Sequence, residues 1–69
     1  MTASELKHEI LNEVIKLHEA GYKITFRVDE ESVFVFDYKN ASQWYAFKDS
    51  ISQLQWILKK LENISKNNN

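Results

Sequence analysis

The chain has 69 residues, with 43% hydrophobic and 13% aromatic side chains, one glycine, no proline and no cysteine. That length fits one domain with one small core, whose stability of about 3 to 10 kcal/mol rests on packing alone, since neither disulfides nor thiolate metal sites can form. The formal net charge of −1 supplies no overall field to attract nucleic acid or an anionic membrane, which counts against functions that depend on bulk charge.

In chain order, Thr2 followed by Glu5 fits a capping box, and Leu6, Ile10, Leu11, Val14, Ile15, Leu17 and His18 then recur at helical spacing. This first helix is expected to stop at Gly21, where the missing Cβ permits a left-handed conformation, with Tyr22 packing back on the last turn. Its apolar arc spans ~180°, wider than one surface requires, so it should touch a sheet and a second helix, or a partner. His18, at the edge of the arc, is expected to pack against the core. Met1 to His8 shows no basic stretch ahead of an apolar one, and no apolar run approaches membrane-spanning length, which predicts a cytoplasmic chain that makes no use of a membrane.

Tyr22 to Asp29 alternates strictly: Tyr22, Ile24, Phe26 and Val28 fall on one face, and Lys23, Thr25, Arg27 and Asp29 on the other. After an acidic turn, Ser32 to Lys39 is apolar on both faces from Val33 to Phe36, as expected of a central strand. Gln43 to Phe47 is the expected third strand, reached through Lys39 to Ser42, where Asn40 suits turn geometry. Pairing of Val28 with Val33 would turn Phe34, Phe36 and Tyr38 outward, and a one-residue slip would turn them inward. Burial of each phenylalanine is worth about 1.5–3 kcal/mol, so the inward register is the expected one. The outward register would instead create an aromatic and basic sheet surface of the kind that binds single-stranded nucleic acid.

Ser50 and Gln53 offer a second capping box, with Asp49 favouring the helix N-terminus. Ile51, Leu54, Ile57, Leu58, Leu61 and Ile64 then share one arc, and residues 67–69 form a tail expected to fray. The elements predict a single α+β domain over residues 1–66. Its two layers, in the order α-β-β-β-α, are a three-stranded antiparallel sheet and two helices packed on one face.

Trp56 is the exception in this pattern, falling ~80° outside the nearer edge of the second helix's apolar arc. Its neighbours there are Ser52, Lys59, Lys60 and Asn63, with Gln53 near by. A tryptophan on a polar, basic face is either an anchor for a partner or a filler of the gap between two helices. As an anchor, Trp56 with Lys59, Lys60, Asn63 and Gln53 forms the candidate partner-binding set. A second candidate is acidic: Glu5, Glu9 and Glu13 repeat every four residues along the first helix, and Asp29, Glu30 and Glu31 form a hairpin tip. Such groups either stay solvated or imitate the charge of a nucleic acid toward a basic groove. Residues 5–20 carry two lysines against four glutamates, whereas residues 48–66 carry four lysines against two acids.

Catalytic equipment is sparse in the sequence. Phosphate-cradling loops need several glycines and thiol chemistry needs cysteine. His8 and His18 stand about 15 Å apart along one helix, too far to share a metal ion. Asp37, between Phe36 and Tyr38, is expected to be a solvated strand residue. Neither an enzyme nor a cofactor or metal requirement is therefore expected.

The order helix-strand-strand-strand-helix resembles the double-stranded-RNA-binding domain and the HicA-type toxin that shares its layout. Where the RNA-binding domain carries a lysine cluster at the start of its last helix, this chain has Lys48-Asp-Ser-Ile-Ser-Gln53; where the toxin carries a glycine-serine-histidine step, it has Asp29-Glu-Glu-Ser32. Some small phage anti-CRISPR proteins are also similar in element order and in their acidic surface. The expected function is stoichiometric binding to a protein partner by an inhibitor or regulator, encoded by a phage or other mobile element. The alternatives are a nucleic-acid-binding module, and a homodimer that buries the surplus apolar arc of the first helix.

Overall fold

A computed structural model describes residues 1–67. The elements are α1 (Ala3–Glu19), β1 (Ile24–Val28), β2 (Ser32–Asp37), β3 (Ser42–Phe47) and α2 (Ile51–Asn67). The strands form one antiparallel sheet in the order β1-β2-β3, and the two helices pack against each other and against one face of it. The α+β class and the layer arrangement follow the sequence expectation. Residue 67, expected in a frayed tail, is helical, and the expectation for residues 68–69 lies outside the described residues.

Both ends of α1 are defined by local chemistry. Thr2 Oγ1 accepts from Glu5 N at 3.2 Å while Glu5 Oε1 accepts from Thr2 N at 3.0 Å, closing the capping box. At the other end Gly21 takes φ +90°, its N–H donates to the His18 carbonyl at 3.0 Å, and the Tyr22 N–H donates to the Leu17 carbonyl at 2.9 Å. This paired arrangement satisfies carbonyls that a helix end otherwise leaves open. His18 is exposed, contrary to its expected place against the core, because Leu17 occupies the inner position in the last turn of α1.

The start of α2 departs from the expected capping box. Ser50 Oγ accepts from Gln53 N at 3.4 Å, but the Gln53 side-chain Oε1 accepts from the backbone N–H of Phe47 at 2.8 Å. Only half of the box forms. The other half ties α2 to a strand.

The core comprises Leu6, Ile10, Val14 and Leu17 of α1, Leu54, Ile57 and Leu61 of α2, and Ile24, Val33, Val35 and Ala46 from the sheet, with Tyr22 closing one end. The register is Val28 with Val33, so Val33, Val35 and Asp37 point toward the helices, whereas Phe34, Phe36 and Tyr38 turn away. This reverses the expected inward placement of the three aromatics. Two physical constraints outweigh the extra burial of phenylalanine. Asp29 N–H donates to the Ser32 carbonyl at 2.8 Å, which closes the hairpin around Glu30 and Glu31 as a two-residue loop and fixes the pairing. The large leucine and isoleucine side chains of the helices already fill the interlayer space, so slim valines fit beneath them where phenylalanines would overpack.

The β2–β3 turn lies where expected, with Asn40 in it. Ala41, not Asn40, carries the left-handed conformation, at φ 51°. Asn40 serves the turn through its side chain instead.

Candidate functional site

Trp56 is 48% exposed, so it stands outside the interhelical gap. Lys60, one helical turn further on, places its ammonium 4.8 Å from the Trp56 ring centroid and 5.9 Å from that of Trp44. Trp44 projects from the inner side of β3, where α2 covers the sheet edge, and is half-buried against the core. One cation thus bridges two indole faces, an electrostatic attraction that also holds the Trp56 ring in place. Beside the pair opens a groove of about 330 Å³ bordered by Trp44, Lys60, Asn63 and Ile64, with Asp37 and Asn40 on the strand side.

Of the set expected from sequence, the structure brings Trp56 and Lys60 into contact and sets Asn63 beside the groove, while Lys59 is exposed. Gln53 Oε1 accepts from the Phe47 N–H. Trp44 is the member that sequence reasoning missed. The signal was the inward parity of Trp44 with Ala46 once β3 is paired to β2.

Asp37 differs from its expectation as a solvated residue, being only 1% exposed. The observed register carries it inward together with Val33 and Val35. Its carboxylate accepts from Tyr22 Oη at 3.1 Å, from Asn40 N at 3.3 Å and from Asn40 Nδ2 at 2.8 Å. Asn40 Nδ2 also lies 3.1 Å from Tyr22 Oη. Burial, followed by its hydrogen bond to Asp37 and the nearby negative charge, pushes the Tyr22 phenol above its ordinary value. These three side chains tie the end of α1, the end of β2 and the following turn together.

Part of the acidic set is engaged in local contacts. Glu5 is held in the capping box, where the Thr2 backbone N–H and then the Thr2 hydroxyl keep its carboxyl below the ordinary range. Glu13 lies 3.4 Å from Lys16, and Asp29 lies 3.2 Å from Arg27. Glu9, Glu30 and Glu31 are exposed. Among the described residues, no three histidine or acidic side chains are grouped to hold a cation, and no helix is long and apolar enough to cross a membrane.

The second prominent surface is the sheet face opposite the helices. Phe34 and Tyr45 meet edge-on at 5.0 Å between ring centroids, Tyr45 and Phe47 at 5.3 Å, and Phe36 and Tyr38 lie nearly parallel at 5.7 Å. Lys23, Thr25 and Arg27 are exposed along β1 and the residue leading into it. The surplus arc of α1 is smaller: Leu11 and Ile15 remain exposed, and Leu11 borders a shallow groove with Phe26 and Val28.

No protein-family model matches the chain, and no characterised protein or solved structure resembles it detectably.

Proposed function

We propose that the chain is a non-enzymatic regulator or inhibitor that binds a partner protein stoichiometrically, with Trp56 as the anchor. The observation that carries this reading is the exposed Trp56 ring held by Lys60 at 4.8 Å. A large aromatic fixed before contact loses little rotamer freedom on binding, and tryptophan is over-represented among residues that dominate interface energies. Lys59 and Lys60 supply a cationic rim, so the partner surface that fits is one carrying carboxylates around an apolar pocket. The groove beside Trp44 and Asn63 gives that partner a concave neighbour to fill.

Binding of single-stranded nucleic acid is the second reading, favoured by the stacked Phe36 and Tyr38 rings on a face that also carries Lys23 and Arg27. It ranks second because Arg27 is paired with Asp29, leaving weak electrostatics for phosphates on a chain of net charge −1.

The test is affinity capture from a lysate of the natural source with the intact chain, Trp56→Ala and the double variant Lys59→Glu/Lys60→Glu as baits, each first shown to be folded. A protein retained by the wild type in a fixed ratio and lost from both variants supports the reading. Equal retention by Trp56→Ala removes Trp56 as the anchor. Parallel titration with single-stranded DNA at low and raised salt addresses the second reading, since tight binding that collapses with salt would move the function to nucleic acid.

A further inference from the structure

The open sheet face is large for a surface left to water. Phe36, Tyr38, Tyr45 and Phe47 are 40%, 58%, 41% and 54% exposed. With about 200 Å² per aromatic side chain, these four rings leave on the order of 400 Å² of mostly apolar area in contact with solvent. That matches the largest patches that monomers carry, which are commonly functional. It is about half of the ~800 Å² per partner that a stable interface buries, and the polar side chains of the same face supply the remainder.

The distribution of charge on the face points to its occupant. Charge lies along the β1 side, where Lys23 and Arg27 are exposed and Arg27 stands 3.2 Å from Asp29, whereas the outward side chains of β3 are Gln43, Tyr45 and Phe47 and carry no charge. Across the sheet the pairing forms level rows: Arg27 with Phe34 with Tyr45, and Thr25 with Phe36 with Gln43. A two-fold axis parallel to the strands, between two stacked sheets, preserves the height of each row and exchanges β1 with β3.

We infer that this face binds a second copy of the chain about such an axis. Arg27 of each copy then stands over the Tyr45 ring of the other, and Thr25 opposite Gln43. Phe34 and Phe36 meet their own counterparts across the axis, within the ~10 Å spacing of packed sheets. Each dimer gains two cation–aromatic contacts of the kind Lys60 already makes within one chain. A two-fold perpendicular to the strands would set β1 against β1, leaving Arg27 without the Tyr45 ring of the other copy, and is disfavoured for that reason. The helices cover the opposite face, so the dimer leaves Trp56 of both copies open. This interface is separate from the Trp56 site, and either can fail without the other.

The experiment is sedimentation velocity on the intact chain over a wide concentration series, with three variants of half-exposed side chains checked for folding by circular dichroism. The wild type sediments as a dimer. Phe36→Glu, which sets one carboxylate against its counterpart across the axis, raises the dimer dissociation constant about thirtyfold or more. Tyr45→Arg sets a second cation against Arg27 of the other copy and produces monomer, and adding Arg27→Glu to Tyr45→Arg restores the dimer. A wild type that stays monomeric at every concentration overturns the inference, whether or not it binds single-stranded DNA on that face. A dimer indifferent to Phe36→Glu, or a charge-swapped double variant that stays monomeric while folded, overturns it as well.

Discussion

The phenol of Tyr22 donates to Oδ2 of Asp37 at 3.1 Å, joining residues fifteen positions apart in a buried contact. Tyr22 follows directly on the glycine that ends α1, and Asp37 is the last residue of β2. The bond therefore locks helix and sheet at one end of the domain. Removing the phenol oxygen with Tyr22→Phe leaves a buried carboxylate short of a donor, and chemical denaturation should show a loss of about 1–3 kcal/mol. The pH dependence has a defined sign. The folded state holds the Tyr22 proton more tightly than the unfolded chain, whose tyrosines titrate near the ordinary value of 10.0. Above that value the unfolded state binds fewer protons, so stability is complete below it and falls as the pH rises further. Tyr22→Phe should flatten this alkaline decline, and an unchanged slope would show that another group causes it.

The capping box gives the opposite dependence at acid pH. Glu5 is held below its ordinary value of 4.5, first by the Thr2 backbone N–H and then by the Thr2 hydroxyl. A depressed carboxyl contributes stability that is present above the unfolded value and is lost as the pH falls through the folded one. Thermal unfolding followed from neutral pH downward should show that loss beginning near 4.5. Thr2→Ala should cost about 0.5–2 kcal/mol at neutral pH and shrink the acid-dependent part.

How much of this was legible in the sequence depends on whether a feature is local or shared between elements. The α1 capping box and the Gly21 stop need only residues within one turn, and both are found where the sequence places them. Helical periodicity places Trp56 off the apolar arc but does not choose between exposure and filling the gap between the helices, and the structure exposes it. The hairpin register does not. Phe34 and Phe36 promise more apolar burial than Val33 and Val35, yet the two-residue loop at Glu30–Glu31 and the space left by leucines from two helices decide the outcome. Asp37 and Trp44 were obscured by the same step, since their inward direction follows only once the pairing is known. Sequence periodicity in a strand with apolar residues on both faces cannot choose between its two faces.

Two backbone positions should respond in opposite directions. Gly21 sits at φ +90° with no atom within 4 Å of where a Cβ would be, so Gly21→Ala meets no steric clash and its cost is conformational. A loss of about 1–2 kcal/mol is expected. Ala41 has its Cβ in the same left-handed region at φ 51°. Ala41→Gly relieves that strain at a smaller entropic cost in the unfolded chain, for a gain of about 0.5 kcal/mol. Denaturant midpoints of the two variants measured side by side check both signs, and a stabilising Gly21→Ala would contradict the helix-end geometry.

Trp56 and Ile57 are adjacent in sequence and opposite in environment, one half-exposed beside Lys60 and the other fully buried between the layers. Ile57→Ala should cost about 2–5 kcal/mol, because its side chain is fully buried in the core and leaves a cavity there. Trp56→Ala removes a larger side chain but little buried surface, and should cost less than about 1 kcal/mol. Lys60→Met keeps the aliphatic stem and deletes the ammonium, which tests the contact that holds the ring. It should cost about 0.5–1 kcal/mol in the wild type and less in the Trp56→Ala background, where only Trp44 remains beneath the cation. The difference between the two measurements is the energy with which Lys60 orders Trp56 in advance of a partner. Additive effects would mean that the ring is positioned by something other than Lys60, and a loss above about 2 kcal/mol for Trp56→Ala would make that residue part of the core rather than a free anchor.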